Sequence, residues 1–182
     1  MEKRIYKDKI SKLRSKERLD LLEVERVVEL TLEKIYITKI LDVGTGSGIF
    51  AEAYALRNFN ATGIDKNPQM VKIASDLVQD AHFKEASAEA LPFKDDTFDL
   101  VFLGHILHES DDPALVLKEA FRVATQRIAI LEWPYRSENI GPPMQHRMPP
   151  ETIQSLLRKT GFKNIQKTNL THLVLFRAWS AK

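Results

Sequence analysis

The stretch ILDVGTGSGIF, from Ile40 to Phe50, places three glycines directly behind a short apolar run that contains an aspartate. Consecutive apolar, β-branched residues are typical of a parallel strand that is covered on both faces. Glycine has no β-carbon, so a glycine-rich turn lets backbone amides approach a ligand closely. The stretch therefore predicts a buried strand, a tight turn and a helix whose N-terminus faces a nucleotide-like ligand.

The spacing of the glycines excludes two classes of ligand. A phosphate loop of nucleotide hydrolases needs lysine and then serine or threonine after its last glycine, but Ile49 and Phe50 stand there. The dinucleotide fingerprint G-x-G-x-x-G needs a glycine at position 49, whereas the chain has G-x-G-x-G. Asp65 ends the next predicted strand, where a carboxylate can accept two hydrogen bonds from a ribose. The pattern favours a ribose-bearing ligand without a pyrophosphate, with an empty turn and a capping role for Asp65 as the alternatives.

Composition and charge predict one globular, soluble domain over residues 1–182. The chain is 43% hydrophobic and contains no cysteine, which excludes disulfides, thiolate zinc sites and a cysteine nucleophile. Residues 1–20 hold eight Lys/Arg against four Asp/Glu, a density that favours a solvated helix face over a nucleic-acid-binding arm. No apolar run approaches the roughly 20 residues of a membrane span. We expect a cytoplasmic protein without a membrane span and without a nucleic-acid partner.

The order of predicted elements indicates a doubly wound, Rossmann-like α/β fold. Apolar residues at helical spacing over residues 21–35 predict a helix within an N-terminal segment, 1–37. Strands and helices then alternate through a core, 38–133, which predicts a mostly parallel sheet with helices on both faces. The final segment, 134–182, contains a proline-bearing loop, a helix closed by Gly161 and two strands with no helix between them. We therefore expect seven strands, the last two forming an antiparallel pair at the sheet edge.

Three motifs in this order resemble a known family. They are ILDVGTGSGIF, TGIDKNPQM and SAEALPFKDDTFDLVFLGHILHE. Together they are similar to class I S-adenosylmethionine-dependent methyltransferases, and most similar to the branch that includes the ubiquinone and menaquinone C-methyltransferases. The resemblance covers residues 38–133 and continues more loosely to the C-terminus. It implies S-adenosylmethionine as cofactor and a small molecule as methyl acceptor.

The resemblance also implies cofactor-binding residues. Glycines of the turn would line the methionine part, Asp65 would bind the ribose, and the segment after the third strand would bind adenine. In that segment Ser87 stands where the family often has an aspartate, which puts the usual adenine contact in doubt, while the amide of Ala88 remains. Lys66 stands where an apolar residue is common, and its stem could cover the adenine ring. The full set is Asp42, Gly44, Thr45, Gly46, Gly48, Asp65, Lys66, Ser87, Ala88 and Gly104.

Two residues are candidates for catalysis. In doubly wound sheets ligands lie at the carboxyl ends of the strands, which selects His105, after the fourth strand, and Glu132, at the end of the fifth. A loop histidine that binds a neighbouring backbone group is the alternative for His105, and we expect His108 to support the loop. Two histidines three residues apart can share a zinc ion, and Glu109, Asp111 and Asp112 follow nearby. The spacing differs from that of zinc proteases and the sequence does not identify a third ligand, so no metal is predicted.

The sequence also bears on three functions other than methyl transfer to a small molecule. A cofactor-binding module without turnover is compatible with the small size and with Ser87, whereas a nicotinamide-dependent oxidoreductase is opposed by Ile49. Methylation of nucleic-acid bases loses support, because the Asn/Asp-Pro-Pro-Tyr/Phe motif is absent after the fourth strand. In the loop 134–149, Arg147 or His146 could face the substrate, but packing of Arg147 and Met148 against the sheet is the preferred interpretation. The oligomeric state is not predicted.

Overall fold

Short apolar runs form the central strands of one sheet, as their composition predicts. The computed structural model describes residues 11–180. Its strands are β1 Lys39–Val43, β2 Asn60–Asp65, β3 His82–Glu85, β4 Phe98–Gly104, β5 Ala124–Glu132, β6 Lys163–Asn169 and β7 Val174–Trp179. Its helices are α1 Lys16–Leu22, α2 Val24–Leu32, α3 Ile49–Ala55, α4 Pro68–Leu77, α5 Pro113–Val123 and α6 Pro150–Thr160, with 3₁₀ turns at Leu107–Glu109 and Met144–His146.

The strand order confirms the predicted fold class. The sheet runs β3-β2-β1-β4-β5-β7-β6, in which β1 to β5 are parallel and β7 is antiparallel to both β5 and β6. The chain moves outward from β1 to β3 and then returns to place β4 on the other side of β1. This reversal opens a crevice at the carboxyl ends of β1 and β4, where doubly wound proteins bind their ligands.

Each face of the sheet packs against its own helices. Neighbouring strand residues point to opposite faces, so Ile40 and Leu41 belong to two separate cores and are both fully buried. Tyr54 of α3 packs on one face, and Leu117 of α5 packs on the other. Burial of each large apolar side chain stabilises the fold by about 1.5 to 3 kcal/mol. The two cores hold the strand ends, and hence the crevice, in a fixed position.

The N-terminal segment is helical as predicted, but it forms two helices and not one. Glu23 has a left-handed backbone, with φ 46°, and divides the predicted helix into α1 and α2. The side chain of Glu23 accepts a hydrogen bond of 2.6 Å from the backbone of Thr171, which lies 148 residues away in the sequence. A tertiary contact therefore fixes the break, and periodicity alone does not show it.

Two arginines of the C-terminal strands fasten α2 to the sheet. Arg127 is fully buried, and its guanidinium donates to the carbonyl oxygens of Thr31, at 2.6 Å, and Glu33, at 2.8 Å. Arg177 donates to the carbonyl oxygen of Leu30 at 2.8 Å. These donors satisfy carbonyl groups that the end of a helix leaves without partners. The N-terminal segment is thus bonded to β5 and β7.

Candidate active site

A cleft at the carboxyl ends of β1, β2 and β4 collects most of the predicted site residues. Its larger cavity has a volume of about 220 Å³. The predicted residues that line it are Gly44, Gly46, Asp65, Lys66, Ala88, Gly104 and His105. A smaller cavity of about 80 Å³ adjoins it above the glycine turn. The predicted residues that line this second cavity are Asp42, Gly44, Thr45, Gly46, Gly104 and His105.

The glycine turn has a left-handed backbone at all three glycines. Gly44, Gly46 and Gly48 have φ values of 72°, 54° and 80°, a region that favours residues without a β-carbon. The amides of Gly44 and Thr45 donate to the carbonyl oxygen of Ile64, at 2.9 and 2.8 Å, which ties the turn to the end of β2. Gly48 begins α3 and lines neither cavity, so its role is to make the turn.

Asp65 is held rigidly beside this turn. One carboxylate oxygen accepts a hydrogen bond of 3.0 Å from the amide of Gly46, and the other accepts one of 2.9 Å from the amide of Asn67. The side chain of Asn67 in turn caps α4. Each carboxylate oxygen can accept more than one hydrogen bond, so Asp65 keeps acceptor capacity toward the cavity that it lines.

Asp42 lies buried under the turn. Its carboxylate accepts hydrogen bonds from the hydroxyl of Thr45, at 2.6 Å, and from the amide of Ala51, at 3.1 Å. Burial raises the pKa of Asp42 to about 6, although both hydrogen bonds act in the opposite direction. The side chain therefore braces the turn and also presents an acidic group to the smaller cavity.

The segment after β3 differs from the predicted arrangement at Ser87. The hydroxyl of Ser87 donates to the carboxylate of Glu89 and accepts a hydrogen bond of 3.2 Å from the amide of Glu89, and Ser87 lines neither cavity. Ala88 and Glu89 do line the larger cavity. The acidic group on this side of the cleft is therefore Glu89, which the sequence-based residue set omits.

His105 has an unusual backbone and an unusual side-chain environment. Its φ is 59°, a left-handed value that is uncommon for a residue with a β-carbon. The imidazole lies 5.2 Å from the ring of Trp133, and neither ring nitrogen has a hydrogen-bond partner within residues 11–180. Burial lowers the pKa of His105 to about 4, with the charge of Glu132 only partly offsetting it. The imidazole is therefore neutral near pH 7.

Glu132 lies behind this histidine and lines neither cavity. One of its oxygens accepts from the amides of Leu107, at 3.0 Å, and His108, at 3.3 Å. Its other oxygen lies 2.7 Å from Nδ1 of His108. Burial opposes the charged form of His108, but the hydrogen bond and charge of Glu132 outweigh it and raise the pKa of His108. Glu132 thus holds the turn after β4 and does not face the cleft.

The N-terminal segment supplies one wall of the smaller cavity. Leu13, Arg18 and Leu22 line it, and Arg18 also lines the larger cavity. Arg14 donates to the carbonyl oxygen of Ser47 at 2.9 Å and pairs with Glu52, which fixes the start of this segment on the glycine turn. Sequence reasoning assigned the basic residues of this segment to a solvated face, because no local pattern shows which part of a helix a distant turn will contact. The part of that basic segment before residue 11 lies outside the described residues.

The proline-bearing loop is organised around Arg147. This side chain is buried, and its guanidinium donates to the backbone carbonyl oxygens of Pro134, Arg136, Ile140 and Pro142 at 2.6 to 3.1 Å. His146 is exposed, and neither residue lines the cleft. The preferred interpretation from sequence has Arg147 and Met148 packing against the sheet. Met148 does pack against one core of the sheet, whereas Arg147 binds carbonyl groups of the loop itself.

Neither a metal cluster nor a membrane helix is found in the part of the chain that the structure describes. Within residues 11–180 no three His, Cys, Asp or Glu side chains are grouped in a way that could hold a metal ion. In the same residues, no helix combines the length and apolarity needed to cross a membrane.

A seven-stranded sheet of order 3-2-1-4-5-7-6, with a glycine turn after β1 and an acid at the end of β2, defines the class I methyltransferase fold. Residues 41–127 match the model of the family described as "Methyltransferase domain". A crystal structure of a SAM-dependent methyltransferase from Aquifex aeolicus superposes with a TM-score of 0.85, at 24% identity, over 96% of this chain and 98% of that one. The predicted resemblance to class I S-adenosylmethionine-dependent methyltransferases is confirmed.

Curated relatives share part of their length with this chain. A demethylmenaquinone methyltransferase of Thermotoga maritima is 35% identical over 112 residues, which are 59% of this chain and 48% of that protein. A ubiquinone biosynthesis O-methyltransferase of Pseudomonas putida, strain W619, is 32% identical over 90 residues, which are 47% of this chain and 39% of that protein. The matched segments thus span about half or less of the length of these relatives.

Proposed function

We propose that the protein is an S-adenosylmethionine-dependent methyltransferase that acts on a small molecule. The observation that carries the proposal is the pairing of a left-handed glycine turn with the fixed carboxylate of Asp65 in one cleft. The family match and the quinone-modifying relatives support the reaction class and a small acceptor. No described side chain of the cleft belongs to a base-methylating motif, so nucleic acid is not proposed as acceptor.

The residues present fit the cofactor. Asp65 has free acceptor capacity for two ribose hydroxyls, and the open space beside Gly46 lets a ligand approach the backbone. On the opposite wall, the amide of Ala88 and the carboxylate of Glu89 are suited to the ring nitrogen and amino group of adenine. The aliphatic stem of Lys66 would cover the ring while its amine stays in water.

The bound cofactor would supply an activated methyl group on a sulfonium, a good leaving group, so the protein mainly positions the acceptor. His105 lines both cavities and is the residue that we place beside the acceptor. A neutral imidazole can accept a hydrogen bond from an acceptor hydroxyl or donate one to its oxygen. We assign Glu132 a positioning role, because its carboxylate is occupied by the turn that carries His105.

Calorimetric titration tests the cofactor assignment. We expect S-adenosylmethionine and S-adenosylhomocysteine to bind. We expect NAD⁺ not to bind, because Ile49 stands where the dinucleotide fingerprint requires its last glycine. Asp65→Ala is expected to weaken binding of S-adenosylhomocysteine by about 1.5 to 3 kcal/mol, the value of a lost hydrogen bond to a charged group. Asp76→Ala serves as control, since Asp76 lies on the exposed side of α4 and pairs only with Lys72 in the described structure. Unchanged affinity in Asp65→Ala would refute the assigned role.

A second experiment separates a methyltransferase from a binding module without turnover. The protein would be incubated with S-adenosylmethionine and a panel of phenols, quinols, acids and amines, and S-adenosylhomocysteine would be measured by mass spectrometry. Formation of this product with one class of acceptor supports the proposal. Cofactor binding without product in the whole panel would favour the non-catalytic alternative.

A further inference from the structure

The smaller cavity is bordered by two charged side chains of opposite sign. Among the described residues that line it, only Arg18 and Asp42 carry a full formal charge at neutral pH when ionised. The rest of its lining includes the glycine turn, through Gly44 and Gly46, and apolar side chains. A cavity of about 80 Å³ with one carboxylate and one guanidinium has the charge pattern that an α-amino-acid zwitterion requires.

Arg18 is available to bind a ligand. Its guanidinium has no hydrogen-bond or ion-pair partner within residues 11–180, although it lies beside both cavities. The neighbouring Arg14 is already occupied by Ser47 and Glu52. Lys66 lines only the larger cavity, where it follows Asp65. Among the residues that the structure describes, Arg18 is therefore the cation placed to reach an anion above the glycine turn.

The helix that carries Arg18 is held by few contacts of its own. Of the residues in α1, only Leu22 is buried. The helix is joined to α2 at the left-handed Glu23, whereas α2 itself is fastened by Arg127 and Arg177. A ligand that binds Arg18 would add a charged contact between α1 and the glycine turn.

We propose that Arg18 binds the carboxylate of the cofactor's methionine part, opposite Asp42, and that this contact fixes α1 over the site. The inference rests on the proposed function, since it assumes a cofactor with an amino-acid group. Arg18 lies outside residues 41–127, so the family match does not include it. The N-terminal segment is then part of the cofactor site and not only a cover.

Two ligands that differ in the amino-acid part test the proposal. S-adenosylhomocysteine has that part, whereas 5′-methylthioadenosine keeps the adenine, ribose and sulfur without it. Arg18→Gln is expected to raise the Kd of S-adenosylhomocysteine about 10- to 100-fold and to leave that of 5′-methylthioadenosine within about twofold. Lys16→Gln is the matched control, because Lys16 lies exposed on the same helix and lines neither cavity. It removes the same charge and is expected to change neither affinity.

Hydrogen exchange gives a second readout. S-adenosylhomocysteine is expected to slow exchange in residues 16–22 of the native chain, whereas 5′-methylthioadenosine is not. In Arg18→Gln this protection should disappear. Arg18→Lys should recover part of the affinity for S-adenosylhomocysteine, because it keeps the charge but loses the planar, bidentate donor.

The outcomes distinguish the two proposals. Wild-type affinity of Arg18→Gln for S-adenosylhomocysteine would overturn the role of Arg18 alone and leave the cofactor assignment intact. An equal loss for both ligands would also overturn it, since the effect of Arg18 would then not depend on the amino-acid part of the ligand. Failure of the native protein to bind S-adenosylhomocysteine would overturn the proposed function and this inference together.

Discussion

Gly46 and Gly48 have similar backbones but different surroundings. A β-carbon on Gly48 would lie 3.1 Å from the ring of Phe83 and 3.2 Å from the side chain of Ala74, whereas a β-carbon on Gly46 would meet nothing within 4 Å. Both residues are needed for the left-handed turn, but only Gly46 lines the two cavities. One glycine thus packs the turn, and the other leaves space in the cleft.

This difference predicts that alanine at position 48 mainly lowers stability, whereas alanine at position 46 mainly lowers ligand affinity. Gly48→Ala should lower the free energy of unfolding by about 2 to 4 kcal/mol, through backbone strain and overpacking. Gly46→Ala should lower the free energy of unfolding by only about 1 to 2 kcal/mol, through backbone strain. It should nevertheless weaken the binding of S-adenosylhomocysteine by at least about tenfold, because the alanine methyl group enters open space in the cleft. Urea unfolding and calorimetry measure the two quantities. Equal stability of the variants, or tight binding by Gly46→Ala, would contradict the assignment.

Residues of the candidate site could be predicted where the backbone conformation or the ligand requires a particular residue type at a fixed spacing. The three glycines and Asp65 could be found because a left-handed turn and a ribose each need particular chemistry at a particular spacing. Glu89 and Arg18 could not be found in this way. Glu89 reaches the cavity through a local bond with Ser87, and Arg18 reaches it because α1 packs on a turn that is distant in sequence.

At the scale of elements, the turn after β4 depends on one buried carboxylate. Glu132 accepts hydrogen bonds from the amides of Leu107 and His108 and lies 2.7 Å from Nδ1 of His108. These residues belong to the turn in which His105 has a left-handed backbone. The orientation of His105 is thus determined by the end of β5.

Removing this carboxylate should destabilise the protein strongly. Glu132→Ala leaves buried amides without acceptors and is expected to cost about 3 to 5 kcal/mol, measured by urea unfolding. Glu132→Gln keeps one carbonyl acceptor and should cost less. It should also lower the pKa of His108, measured by NMR titration, because it removes the charge that raises that pKa. Glu109→Gln, at an exposed neighbour, is the control for the unfolding measurement only, because the charge of Glu109 also contributes to the raised pKa of His108. A Glu132→Ala protein as stable as the control would show that the turn does not depend on Glu132.

Element types followed from sequence more reliably than element boundaries. The seven strands and the antiparallel C-terminal pair were predicted from apolar runs and from the lack of a helix between β6 and β7. The break at Glu23 was not predicted, since a bond from Thr171 determines it. Helix α4 ends at Leu77, because Val78 already has an extended backbone, and no residue type in the sequence marks this end.

At the scale of the whole molecule, a buried neutral histidine links stability to pH. The pKa of His105 is about 4 in the folded chain, against 6.5 for an unperturbed histidine. Between these values the unfolded chain binds more protons, so the contribution of His105 is present above about pH 6.5 and is lost as the pH falls toward 4. Asp42, whose pKa is raised, contributes in the opposite direction.

Comparison with a variant isolates this contribution. His105→Asn removes the titrating group, and asparagine tolerates the left-handed backbone. As the pH rises from about 5 to about 7.5, the native chain should gain about 2 kcal/mol in free energy of unfolding relative to this variant. The contribution of Asp42 is common to both proteins and cancels. Parallel pH profiles in urea unfolding would show that His105 is not buried in its neutral form.

The position of β7 in the sheet determines when β5 can gain its second neighbouring strand. This strand is the last of the seven in sequence, yet it lies between β5 and β6 and pairs with both. While the chain is being synthesised, the fully apolar Ile128–Leu131 part of β5 therefore has one edge without a partner until Val174–Trp179 has emerged from the ribosome. Exposed apolar edges recruit other chains. We therefore expect the edge of β5 to be most prone to pairing with other chains in the interval between the synthesis of β5 and that of β7.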